Sequence, residues 1–146
     1  IQLARKPNCE PPDLRSDRWQ LMNATRGISA YRQHAAQTAS KTQIVVMLAA
    51  RMTSDIAQAI TNIEEHNPAA AHELLVHAQQ IVDELSTALD VDTCPAGNEL
   101  RSLYQFITDE LVEANIQKSA QHAANAHRVA EEISAMFAAA AQEQAA

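Results

Sequence analysis

Four stretches of this chain place apolar residues three or four positions apart, and this spacing constrains the fold more than any other feature. In the stretch from Asn98 to Ile116 the apolar stripe comprises Leu100, Leu103, Tyr104, Ile107, Leu111 and Ala114. Such spacing is typical of one face of an α-helix. Because the stripe is wider than a solvated helix needs, we expect it to cover another helix and to act as an interaction surface.

Two earlier stretches repeat the pattern. Ser40 and Gln43 match a capping box at the start of the first helix, which should end near His66. Asn67 and Pro68 then form an N-cap and N1 pair that starts the second. The predicted inner faces are Ile44, Val45, Leu48, Met52, Ile56, Ile60 and Ile63 in the first helix, and Leu74, Ala78, Ile81, Val82, Leu85 and Leu89 in the second.

The positions of the helix-breaking residues and the composition predict an all-α protein. The strongest helix breakers collect in residues 93–98, and a last helix should begin near Ser119, with an inner face of Ala123, Ala126, Ala130, Ile133 and Phe137. Only two glycines and five prolines interrupt 146 residues, and no stretch shows the alternation of a strand. We predict helices at 41–66, 68–90, 98–116 and 119–140, forming an elongated antiparallel four-helix bundle with a short N-terminal helical segment.

The domain organisation follows from where the pattern begins. Residues 1–21 contain prolines but no amphipathic period, and we expect an irregular N-terminal extension there, either a native tail or a foreign remnant. Met22 is then the predicted start of a single helical domain that covers residues 22–146.

Charge and hydropathy limit the possible partners and compartment. The net charge of −7 argues against nucleic acid, because phosphate binding needs clustered Lys and Arg. The basic residues between Arg5 and Arg32 alternate with acids and prolines, which is typical of a solvated tail. The chain has no run of 18 apolar residues and no visible signal peptide. The sequence therefore predicts a cytoplasmic protein that does not insert into membranes.

No residue pattern predicts a metal site. Cys9 and Cys94 have no C-x-x-C partner, so we expect two free thiols that are not bonded to each other. His72 and His77 are five positions apart, and no H-E-x-x-H motif occurs. Glu73 and His77 are four apart on one helix, which predicts a surface contact.

Catalytic patterns are missing as well. The acidic pairs at 64–65 and 131–132 are adjacent in sequence, and neighbours on a helix point about 100° apart, so neither pair can form a carboxylate dyad. The chain has no G-x-S-x-G motif and no Gly-rich phosphate loop. We therefore predict a binding protein, not an enzyme, without a cofactor.

Several short motifs carry a family resemblance. Residues 38–48, T-A-S-K-T-Q-I-V-V-M-L, resemble the segment T-A-S-P-x-x-L-V-x-M-L of the FliS family of flagellin-specific export chaperones. The pieces lie in the family's order over Ala30 to Phe137: Ala30 and Tyr31; Ala78, Ile81, Leu85, Leu89 and Asp90; Gly97 and Glu99; Leu103 and Tyr104; Ala114, Asn115 and Ile116. The chain departs from the pattern at two places: Lys41 replaces the family's proline, and Ala49 to Arg51 stand where Y-D-G is common.

The resemblance implies a chaperone that holds the disordered C-terminal segment of flagellin, prevents premature polymerisation and delivers it to the flagellar type III export apparatus. It implies that the N-terminal segment around Tyr31 covers part of the binding surface when that surface is empty. Candidate partner-binding residues are Tyr31, Ile44, Val45, Leu48, Leu103, Tyr104, Ile107 and Leu111. Which of them face a groove and which face the core stays open at this stage.

A second interpretation is a FliS-like co-chaperone or regulator that binds another flagellar protein. The departure at Ala49 to Arg51 favours this alternative, because it removes an aromatic contact and adds a charge. An export-gate component or an anti-sigma factor is a further possible partner under either interpretation.

Overall fold

The computed structural model describes residues 41–92, 94 and 96–145, which form four helices. They are α1, Lys41–Glu64; α2, Pro68–Ala88; α3, Gly97–Gln117; and α4, Ala120–Ala145. Each helix packs against two others, so that α1 contacts α2 and α4, and α3 contacts the same two. The turns between successive helices are short, which makes neighbours antiparallel. The described residues thus form an all-α four-helix bundle, as predicted, about 39 Å long along the 26-residue α4.

The predicted boundaries lie within two residues of the observed ones except at the end of α4. That helix continues to Ala145, five residues beyond the predicted end. Alanine has the highest helix propensity, and the alanine-rich end extends the helix after the wider apolar pattern stops. Ala140 in this extension is still buried. The predicted N-terminal helical segment and the capping serine, Ser40, lie outside the described residues.

Local backbone hydrogen bonds fix the turn between α1 and α2. His66 has φ 58°, in the left-handed region, and its N–H donates to Ile63 O at 3.1 Å. The Asn67 N–H donates to Asn62 O at 2.8 Å, which completes a Schellman motif. Asn67 occupies the predicted N-cap of α2, but its side chain makes no capping bond and instead donates to Asn62 Oδ1.

The longer connection between α2 and α3 depends on a glycine. A Cβ on Gly97 would lie 2.8 Å from the Val91 Cα and 3.2 Å from the Val91 carbonyl oxygen. Only a residue without a side chain lets the first turn of α3 approach that backbone. Cys94, in the same connection, is a buried free thiol, and Cys9 lies outside the described residues.

The core is aliphatic and alanine-rich. α1 contributes Met52 and Ile56, and α4 contributes its complete predicted face, Ala123, Ala126, Ala130, Ile133 and Phe137. Several predicted core positions differ from the structure. Leu103 is 40% exposed, and five others are only partly buried: Leu48, Ile60, Ile63, Leu74 and Leu89. In α2, it is Leu75 that is fully buried, next to Leu74. Adjacent leucines point about 100° apart, so the apolar pattern alone does not fix which of them faces inward.

Two charged side chains of the described residues are buried, Glu84 in α2 and Asp55 in α1, and Asp55 contacts α2. Asp55 is fully buried, accepts a hydrogen bond from Arg51 Nε at 3.0 Å, and its other oxygen contacts His77 Nδ1. These partners offset the cost of burying a carboxylate. His77 thus has a partner on the neighbouring helix, in addition to the contact with Glu73 that the sequence predicts.

α1 is also the one helix of the described part that is long and apolar enough to cross a membrane by length and composition. This is weak support for a span, since the core helix of a soluble bundle passes the same test. The buried Asp55 and its contact with α2 are explained by packing inside the bundle, where the charge has partners.

Candidate partner-binding surface

The large hydrophobic side chains that the described residues leave exposed all lie on α3. They are Leu103 at 40% exposure, Phe106 at 36%, Val112 at 37% and Ile116 at 73%. Scattered single apolar residues are normal on a protein surface, whereas a contiguous exposed apolar patch is typical of an interaction site. α3 is therefore the helix best suited to bind a partner.

The buried and exposed apolar residues occupy different faces of α3. Leu100, Tyr104, Ile107, Leu111 and Ala114 are buried and point into the bundle. Phe106 and Ile116 are ten positions apart and project on the outward side, and Leu103 and Val112 flank them at 3.6 residues per turn. α3 thus turns one apolar face to the core and carries further apolar side chains on its outer surface.

Polar contacts hold α3 against both of its neighbours. On the α4 side, Glu110 Oε2 lies 2.6 Å from His122 Nδ1 and accepts from Asn125 Nδ2 at 3.3 Å. On the α2 side, Asn115 Nδ2 lies 2.9 Å from His72 Nδ1. These contacts fix the rotation of α3, so that its exposed apolar residues stay on the outer surface.

The contact between Glu110 and His122 affects ionisation. The hydrogen bond from His122 lowers the pKa of the Glu110 carboxyl from its usual value. The bond from Asn125 and the charge of a protonated His122 act in the same direction, while partial burial opposes them. Glu110 is consequently a carboxylate at neutral pH, and its charge helps to join α3 to α4.

The predicted partner-binding residues fall into three groups. Leu103 is exposed and Leu48 is partly buried. Tyr31 lies outside the described residues. The others are buried: Ile44, Val45, Tyr104, Ile107 and Leu111. Ile44, Val45 and Leu48 lie on α1, which is diagonal to α3 in the bundle, so α1 and α3 do not form one continuous groove.

The sequence left open whether Tyr104 faces a binding groove or the core, and in the structure it faces the core. Its side chain is 3% exposed and belongs to the central hydrophobic cluster. Burial raises the pKa of the Tyr104 hydroxyl well above its usual range, and the nearby Cys94 adds to the rise. Tyr104 therefore packs α3 against the rest of the bundle. The exposed side chains on the outer side of α3 are available for contact.

Sequence reasoning missed Phe106, Val112 and Ile116 as candidates. All three lie off the inner stripe of α3. The available signal was the presence of apolar residues on the polar side of an amphipathic helix. Within the described residues, no group of three His, Cys, Asp or Glu side chains is arranged to hold a metal ion.

Comparison with known protein families finds a match over most of the chain. The family described as flagellar protein FliS matches residues 24–144, which is most of the chain. The chain belongs to the FliS family. FliS proteins are flagellar export chaperones with a helical-bundle fold, in agreement with the four helices described above. The FliS match begins just after the predicted start of the helical domain at Met22, and no individually curated protein matches the chain.

Proposed function

We propose that this FliS-family chain binds the C-terminal segment of flagellin in the cytoplasm, prevents premature polymerisation and delivers the segment to the flagellar export apparatus. The observation that carries the proposal is the set of four exposed hydrophobic side chains on α3. A disordered chain that folds on binding gains stability by placing an apolar helix face on such a surface. The mechanism is passive binding and needs neither catalysis nor a cofactor.

The proposed contact residues combine one predicted position with three that the structure adds. Leu103 comes from the predicted set, and Phe106, Val112 and Ile116 extend the surface along α3. The buried members of the predicted set, Tyr104 above all, hold α3 in place. Tyr31 and Leu48 remain proposed contacts outside this patch.

The alternative partner, another flagellar protein, gains no support from the departure at residues 49–51. Ala49 is fully buried, and Arg51 donates to the buried Asp55. Both residues have roles within the bundle, so their presence gives no reason to invoke a different partner. Flagellin is the partner we therefore propose first.

The experiment is calorimetric titration of the full chain with a synthetic peptide that spans the C-terminal segment of flagellin from the source organism. The double variant Leu103→Ser/Phe106→Ser should bind at least about tenfold more weakly, because losing an apolar anchor of an interface typically costs about 1 kcal/mol or more. Its thermal midpoint should change little, since both side chains are substantially exposed.

Ala57→Ser on α1 is the matched control, because Ala57 is exposed on the helix diagonal to α3. It should bind like the wild type. A wild-type chain that does not bind the peptide would remove flagellin as the partner and favour the co-chaperone alternative.

A further inference from the structure

The outward side of α3 carries acidic residues among its apolar ones. Phe106, Asp109, Glu113 and Ile116 follow each other at steps of three, four and three, which places them in one row along the helix. All four are exposed. We call this row, with the flanking Leu103 and Val112, the α3 outer face. In this face, two adjacent acidic residues lie between hydrophobic ones.

Neither acid of the row is neutralised by a cation of the described part of the chain. Asp109 Oδ1 accepts from Gln105 Nε2 at 2.9 Å, and Glu113 Oε2 accepts from Gln117 Nε2 at 2.6 Å. Contacts with Arg or His among the described residues include those of other acids, such as Asp55, Glu110 and Glu131. Arg101 is the single Lys or Arg of α3. The α3 outer face therefore has a negative field near its hydrophobic residues.

The whole bundle region has the same sign of charge. Residues 41–146 contain fifteen Asp and Glu but five Lys and Arg, a net charge of −10, whereas residues 1–40 contain six basic and three acidic residues, a net charge of +3. A second copy of the chain would bring its own Asp109 and Glu113 against this face. Like charges across an interface suppress such a pairing.

We propose that the segment bound on the α3 outer face is an amphipathic helix of flagellin that carries Lys or Arg beside its apolar residues. This rests on the proposed function and specifies which kind of flagellin helix docks there. The apolar side chains supply contact area with Leu103, Phe106 and Ile116, and the basic ones pair with Asp109 and Glu113. A helix with acidic or purely apolar flanks would leave both carboxylates partly desolvated without a cationic partner.

The experiment compares two flagellin C-terminal peptides that differ only in that Lys and Arg beside the apolar stripe are replaced by Gln in the second. Each is titrated into the full-length wild type and into Asp109→Asn/Glu113→Gln, in 50 mM and 500 mM NaCl. In low salt the double variant should bind the first peptide about threefold to tenfold more weakly, as expected for two exposed charge pairs. In high salt, or with the Gln peptide, the difference should vanish because the charges are screened or missing.

Glu64→Gln/Glu65→Gln is the matched control. It removes two exposed acids at the end of α1, the helix diagonal to α3, and therefore the same net charge. Binding of the first peptide should equal that of the wild type within about twofold. An equal loss of affinity in this control would assign the effect to overall charge and overturn the proposal.

The outcomes separate this proposal from the proposed function. If Leu103→Ser/Phe106→Ser loses binding while Asp109→Asn/Glu113→Gln keeps it in low salt, flagellin binding stands and the basic helix is wrong. If the wild type binds neither peptide, the proposed function itself fails. Tighter binding by Asp109→Asn/Glu113→Gln would show that the two acids hold residues 1–40 on this face, and that outcome also overturns the proposal.

Discussion

Tyr104 contributes to stability from inside the core, which separates its role from that of the exposed Leu103 beside it. Replacing Tyr104 by Ala should lower the free energy of unfolding by about 3–5 kcal/mol, since the change empties a fully packed aromatic site. Tyr104→Phe keeps the ring and should cost much less. Urea unfolding followed by circular dichroism measures both. A stable Tyr104→Ala that has nevertheless lost peptide binding would place Tyr104 in the interface instead.

His66 stands where a glycine would be more favourable. Its φ of 58° at the end of α1 is in the left-handed region, which strains a residue with a Cβ by about 1 kcal/mol. His66→Gly should therefore raise the thermal midpoint by about 2–4 °C. His66→Ala is the control, because it removes the imidazole but keeps the Cβ, and it should give no such rise. A lower midpoint in His66→Gly would mean that the imidazole itself stabilises the turn.

At the scale of helices, the Glu110 carboxylate of α3 contacts α4, and this group loses its negative charge when it is protonated at low pH. Its pKa is lowered in the folded chain, so the unfolded state binds the proton more readily. The stabilisation is complete above the unfolded pKa of about 4.5 and is lost as the pH falls below it. Thermal midpoints measured from pH 3 to 7 should differ between wild type and Glu110→Gln at neutral pH and converge in acid.

Glu132→Gln provides the comparison for Glu110, since Glu132 is an exposed acid of α4. Its midpoints should follow those of the wild type throughout the range. A difference between wild type and Glu110→Gln that persists unchanged at pH 3 would show that the contact with His122 and Asn125 does not depend on the carboxylate charge.

The helices could be predicted from sequence because apolar periodicity reports burial along one element. The inner face of α4 and most of that of α1 follow from it directly, whereas the turn before α3 was predicted from the helix breakers at residues 93–98. Contacts between elements could not be obtained in this way. His77 has Glu73 as its sequence neighbour on the helix, but the packing of α1 on α2 gives it Asp55. Leu103 and Tyr104 are adjacent in the pattern, and only the rotation of α3 leaves the first exposed and buries the second.

At the scale of the whole molecule, the sequence predicts an irregular extension over residues 1–21 ahead of a helical domain. The buried cluster of the described residues extends from Val45 to Phe137, and the FliS match begins at residue 24. If the extension is irregular, deleting residues 1–21 should leave the thermal midpoint within a few degrees, because irregular tails contribute little to stability. The matched comparison is peptide binding by the same truncated chain, which reports whether these residues act on the proposed surface and not on the fold. A midpoint lower by more than about 8 °C corresponds to about 2 kcal/mol or more for a domain of this size. That result would make residues 1–21 part of the folded domain and move its boundary to the start of the chain.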